Sequence, residues 1–131
     1  MTGRGIYELA IQLLACKNSN GSDNPDCADY VSRAPALISI LLAENLKTDR
    51  LLRNDYSVRS LPISHLDEKV NCHDLVSHGI LPFGLASLLV ADEDPELSHS
   101  LYERYLINIK NIKETVTAIS HQIADCYKFN G

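Results

Sequence analysis

The chain has 131 residues, 45% of them hydrophobic and 22% charged, with a formal net charge of −5. That length allows one domain (1–131) with a core that needs no covalent staples, and the composition is that of an ordinary globular protein. The charge works against sequence-independent binding of nucleic acid, because only 12 Lys and Arg are present and they are dispersed along the chain.

No apolar run reaches the roughly 18 to 20 residues that span a bilayer, so no membrane partner is expected. The opening MTGRGIYELAIQLLACKNSNG is interrupted by Glu8 and Gln12 and lacks a small-residue cleavage site, unlike a signal peptide. A cytoplasmic protein, or one assembled from cytoplasmic subunits, is the expectation. Cys16, Cys27, Cys72 and Cys126 form no C-x-x-C pair, which reads as free, mostly buried thiols and neither a zinc knuckle nor a disulfide framework.

Periodicity predicts four main helices and no strand, an all-α bundle. The first runs from about Ile6 to Cys16 with Ile6, Leu9, Ala10, Leu13 and Cys16 on one face, and Asn20-Gly21 marks the turn after it. The second opens at Asn24-Pro25, a cap followed by a first-turn proline. Its stripe is Cys27, Val31, Ala34, Leu37, Ile38, Leu41, Leu42 and Leu46. Pro35, inside it, deprives the carbonyl of Val31 of its donor and predicts a bend.

Residues 47–64, KTDRLLRNDYSVRSLPIS, read as a long irregular loop of the functional or mobile kind, with Leu51, Leu52, Tyr56 and Val58 as candidate contact residues. Leu61, Ile63 and Leu66 would pin its end to the core. Ser64-His65-Leu66-Asp67 resembles a capping box for a single turn, and Asn71 to Asp74 repeats that logic for the third helix.

The third helix is apolar on every side, from Leu75 through Ile80, Leu81, Phe83, Leu85 and Leu89 to Val90, and so belongs at a centre. Pro82 and Gly84 stand inside it and predict a second kinked helix, with Gly84 as a smooth spot for a close neighbour. Asp94 caps and Pro95 starts the fourth, whose stripe is Leu97, Leu101, Tyr105, Ile109, Ile112, Val116, Ile119, Ile123 and Cys126. Thirty residues at 1.5 Å each make a rod of roughly 45 Å. Either it breaks near ETVTAIS, whose β-branched residues weaken helix, or residues 108–131 form a tail that packs on another subunit.

Motifs for chemistry are absent. His73 and His78, like His121 and Cys126, are five apart and splayed by over 100°, whereas helical ligand pairs sit three or four apart. Asp74 and His78 have the right spacing but are only two. No G-x-S-x-G and no phosphate loop occurs, and GRG at 3–5 follows no strand. Asp92, Glu93, Asp94 and Glu96 suit a helix N-terminus. YERYLINIKNIK places Tyr105 on the buried stripe, so its aromatics read as packing. No catalytic residue, metal, cofactor or small-molecule substrate is expected.

The order of these features resembles a known family. SHLDEKVNCHDLVSHGILPFGLASLLVADEDPELSHSLYERY is similar to small helical proteins of tailed phages and prophages of Gram-positive bacteria, the head–tail connector or neck adaptor proteins. The likeness is carried by Leu66-Asp67-Glu68, Asn71, Leu81-Pro82-Phe83-Gly84-Leu85-Ala86, Glu93-Asp94 and Arg104-Tyr105. With ADYVSRAPALISILLAE upstream it covers about residues 26 to 107. Phe83 stands where tyrosine is usual, and Asp67-Glu68 where two aspartates are commoner.

The resemblance implies a structural subunit, not an enzyme. It would form a ring of copies between portal and tail-completion proteins, made in the bacterial cytoplasm and ending in the virion neck. DNA would pass through it unbound, which suits an acidic chain. Its weight would fall on architectural residues: Pro35, Pro82, Gly84, Asn71 and Asp94. The alternatives are a helical interaction or regulatory module that dimerises through the C-terminal helix and, behind it, a small metal- or thiol-dependent enzyme.

Overall fold

Helices account for every regular element of the described chain. The computed structural model describes residues 1–14 and 28–129, with 28 and 119–129 as backbone alone. The expectations for Cys16, Asn20-Gly21, Asn24, Pro25 and Cys27, and for the side chains of Ile119, His121, Ile123 and Cys126, lie outside the described residues. The order is α1 (Gly3–Leu14), α2 (Ala28–Glu44), α3 (Leu46–Arg53), α4 (Asp74–Gly79), α5 (Leu81–Val90) and α6 (Pro95–Phe129). No strand forms among the described residues, only an isolated antiparallel bridge between Thr2 and Lys69. No described helix is long and apolar enough to cross a membrane.

The sequence that reads as one third helix is two. Ile80, at φ −120° and ψ −57°, separates α4 from α5, and Pro82 lies in the first turn of α5. There its missing N–H falls among donors that have no intrahelical partner in any case. Pro82 is therefore a starter of α5 and not the interior kink expected of it. Pro35 does lie inside a helix, since α2 runs through it without interruption.

The segment expected to be irregular from residue 47 is helical as far as Arg53. α3 follows α2 after a single residue, Asn45, and ends at Asn54, whose φ of 51° and ψ of 42° are left-handed. Asparagine tolerates that conformation. The N–H groups of Asn54 and Asp55 reach back to the carbonyls of Leu51 and Arg50, satisfying the last turn. The irregular strap is thus 54–73.

α5 is the hub. It touches α1, α2, α4 and α6, and Leu81, Leu85, Ala86 and Leu89 on it are sealed from water. α1 buries Gly3, Ile6, Tyr7, Ala10 and Ile11. Its stripe is thus centred further round than the one through Leu9 and Leu13, and Leu13 stays 37% exposed. Tyr7 takes a place in the core, and Leu9 and Leu13 lie at its rim. Val31, placed on the buried stripe of α2, is exposed, while Ala34, Ile38, Leu41 and Leu42 are buried.

α6 does not break at ETVTAIS: it is one helix of 35 residues. Its core-facing row of Leu97, Leu101, Tyr105, Ile109 and Ile112 packs on the central cluster. That row ends before ETVTAIS, where Glu114, Thr115, Thr117 and Ala118 are exposed, and the few tenths of a kcal/mol that each β-branched residue costs a helix do not break it.

Candidate functional site

Three groups of residues stand out, and all are built for contact. The first joins α5 to α6. A Cβ added at Gly84 would lie 2.9 Å from the edge of the Tyr105 ring and 2.9 Å from Leu41 Cδ2. The missing side chain is the space that those two occupy. The Tyr105 hydroxyl donates to Glu44 Oε2 at 3.0 Å and accepts from Asn45 Nδ2 at 2.8 Å.

Asn45 Nδ2 also donates to the Leu41 carbonyl, so this buried amide closes α2 and ties the α2–α3 corner to α6. Burial first, and then the neighbouring Glu44 carboxylate, push the Tyr105 phenol well above its ordinary pKa of 10. Beside this contact, from the adjacent residues, the Arg104 guanidinium stands 6.0 Å over the Phe83 ring, a cation–π distance.

The second group is polar and organises the strap. Asp49 is 4% exposed. Its Oδ1 accepts from Arg53 Nε at 3.1 Å and from the His73 backbone N–H at 2.7 Å. Arg53 in turn donates to Asn71 Oδ1 at 3.1 Å. Asn71 is therefore a partner of α3 and not the cap of α4. That cap is His73, whose Nδ1 accepts from the Leu75 N–H at 3.1 Å. Asp94 does cap its helix, accepting from Leu97 N–H at 3.1 Å.

Cys72 sits beside this group, and burial, with Asp49 adding to it, pushes its thiol up to about 11. At neutral pH it is a protonated thiol, a poor nucleophile and a poor metal ligand. Among the described residues no three His, Cys, Asp or Glu side chains converge. His78 Nδ1 lies 3.0 Å from the Asp74 carbonyl oxygen and 3.1 Å from Ser77 Oγ, local contacts of its own turn.

The third group is a set of shallow apolar grooves. One, of about 260 Å³, lies between α3, α4 and α6 and is lined by Leu52, Leu75, Ile112 and Val116 with Asn111 and Thr115. Another, of about 250 Å³, is lined by Leu9, Leu13, Gln12, His78, Pro82 and Phe83. Of the contact residues expected between 47 and 64, Leu52 enters the first groove and packs on the core. Leu51 and Val58 are half-buried, and Tyr56 is 68% exposed. Leu61, expected to pin the strap, is 54% exposed, while Ile63 and Leu66 are buried.

Reading the sequence missed Asn45 and Asp49, the two buried polar residues on which the first two groups turn. For Asp49 a signal exists in its spacing of four from Arg53. Asn45 gives none, because a polar residue after a helix reads as solvent-facing. No protein-family model, no curated protein and no solved structure matches this chain.

Proposed function

We propose that this chain is a structural subunit of a tailed-phage virion, a head–tail connector or neck adaptor that joins portal to tail-completion proteins as a ring of copies. The observation that carries the reading is that the apolar parts of three motifs behind the resemblance meet in space. Phe83 and Gly84 of the first motif lie against Arg104 and Tyr105 of another twenty residues on. Leu66 of a third is buried in the same core. These residues therefore form one packing unit, which supports a reading that rests on architecture.

In this reading the protein contributes shape. Bending of α2 at Pro35 is part of the proposal, as is a domain built around the α5 hub. Ring contacts fall to exposed apolar side chains such as Tyr56, Leu61, Tyr102, Leu106 and Ile107. The chain is made in the bacterial cytoplasm and ends in the virion neck, and the acidic surface lets duplex DNA slide past without holding it.

Mass spectrometry of purified particles of the phage that encodes the chain tests this. The chain should appear at a fixed ratio to portal, and co-expression with that portal should give a complex with density at its tail-facing end. Intact, tailed particles that lack the chain would overturn the proposal.

A further inference from the structure

α4 is only six residues long, with His73 as its N-cap and His78 in its last turn. So short a helix does not hold its shape alone, because nucleation is costly and few hydrogen bonds follow to offset it. It depends on its packing against α5 and on how its ends are finished. The two imidazoles face the helix with opposite polarity, so acid acts on them differently.

At the N-terminal end His73 Nδ1 accepts from the Leu75 N–H at 3.1 Å. Only a ring nitrogen without hydrogen can do this; an imidazolium ion presents donors at both positions. The residue is extended, at φ −63° and ψ 148°, as a capping residue is. Its backbone N–H donates to the buried Asp49 Oδ1 at 2.7 Å, and Arg53 holds that carboxylate from α3. The cap is thus positioned by the polar group that organises the strap.

At the other end His78 Nδ1 lies 3.0 Å from the Asp74 carbonyl oxygen. The Ser77 hydroxyl donates to that same oxygen and is not free to donate to the ring, so Nδ1 carries the hydrogen. A second proton enters at Nε2 and leaves the bond to Asp74 in place. Positive charge there also suits the C-terminal end of a helix. Of the two histidines, only His73 loses a bond on protonation.

We infer that His73 is an acid-sensitive latch on α4, closing its first turn while unprotonated and releasing it when the imidazole takes a second proton. Leu75, in that turn, is one wall of the groove shared with Leu52, Ile112 and Val116, so release loosens that wall. The cap is complete above about pH 6.5, the ordinary midpoint of an imidazole, and is lost as pH falls below it.

The other groups around the ring do not supply such a change between about pH 7 and pH 5.5. Asp49, Arg53 and Asp74 are carboxylates and a guanidinium, which ordinarily titrate below about 4 and above about 12. Cys72 is a protonated thiol, and the Met1 ammonium that acts on it belongs to a class that titrates above about 7.5. Towards α4, α6 presents Asn111 and Thr115, α1 presents Gln12, and α5 presents Pro82 and Phe83. None of these titrates.

Hydrogen exchange resolved to single amides tests this on the full chain, with rates corrected for their intrinsic pH dependence. Between about pH 7 and about pH 5.5 the corrected rate at Leu75 should rise roughly fivefold, which is what a helix cap is ordinarily worth. Val76 and Ser77, whose N–H groups donate to the His73 carbonyl, should follow, while α5 stays protected. His73→Asn caps without titrating and should be slow at both pH values; His73→Ala should be fast at both. His78→Gln should respond to pH as the unaltered chain does.

Four results would overturn the inference. They are equal corrected rates at the two pH values, a response that persists in His73→Asn, a response that vanishes in His78→Gln, and nitrogen chemical shifts that place the hydrogen of neutral His73 on Nδ1. The latch rests on α4 and its caps, not on the connector reading, and stands if that reading fails.

Discussion

The centre of this molecule and its strap are held by opposite means. Around α5 the contacts are apolar and shape-matched: Leu81, Leu85, Ala86 and Leu89 are sealed, and Gly84 leaves room for a ring from α6. Residues 54–73 have few buried side chains and are fixed by directed polar bonds. Ser39 Oγ exchanges hydrogen bonds with the backbone of Ile63, Arg50 Nε donates to the Val58 carbonyl, and Glu68 Oε2 accepts from the Ser64 and His65 N–H groups. At its end the Val70 N–H donates to the Met1 carbonyl.

The two modes should fail differently. A packed centre loses energy in proportion to the volume removed, whereas a pinned strap detaches one bond at a time and leaves the helices standing.

Substitutions can break that contrast or sharpen it. Leu85→Ala, a fully buried deletion at the hub, should cost about 3 kcal/mol in urea unfolding, within the range for core truncations. Asp49→Ala removes a charge-assisted bond to Arg53 and one to the His73 N–H, for a cost of about 2 kcal/mol. Its hydrogen exchange should rise first at Cys72 and His73, ahead of α5. Uniform exchange across both regions would show that strap and centre open as one unit.

Gly84→Ala should cost about 1 kcal/mol net. It gains about 1 kcal/mol of helix propensity but drives a methyl group into a Tyr105 ring whose hydroxyl is held at Glu44 and Asn45, and such overpacking costs about 1 to 3 kcal/mol. Tyr105→Phe keeps the ring and drops the hydroxyl, for a loss of about 1 kcal/mol. In that background Gly84→Ala should become cheaper, because the ring is free to shift; a thermal-melt double-mutant cycle reads the coupling.

The smallest effect belongs to Arg4→Ala. The Arg4–Asp67 pair at 2.9 Å is open to solvent, and removing it should leave the urea midpoint unchanged at neutral pH. The sign of its pH dependence is fixed. The Arg4 guanidinium holds the Asp67 carboxyl below its ordinary value, so any stabilisation is present above roughly pH 4 and fades as pH falls through the lowered value. An Arg4→Ala difference that grows below pH 4 would contradict this pairing.

These contrasts also mark what could be read from the sequence. α1, α2 and α6 carry apolar stripes at helical spacing, and α5 is apolar all round, so an all-α chain with that segment at its centre was legible. α3 was not, because LKTDRLLR holds three leucines among charges. It is helical because Arg50, Arg53 and Asn54 finish it well and because Asp49 gives its polar face a buried partner. The break at Ile80 was equally hidden, since Pro82 in a continuous apolar run predicts a kinked rod as readily as a new helix.

The groove beside Leu75 needed the fold, which brings α3 and α4 together against α6 across more than sixty positions of sequence. The cap on α4 was misassigned by two residues, because asparagine is the commoner cap and an imidazole nitrogen can do the same work only when unprotonated.

The position of the hub in the chain has a consequence for synthesis. α5 occupies residues 81–90, and both α1 and α2 pack on it. A nascent chain therefore makes two amphipathic helices long before the surface that covers them has left the ribosome. Domains emerge N-terminus first at about 5 to 20 residues per second, so those apolar faces wait for several seconds. Overproduction should strain that interval first, and co-expressed chaperones that hold short apolar helices should raise the soluble yield.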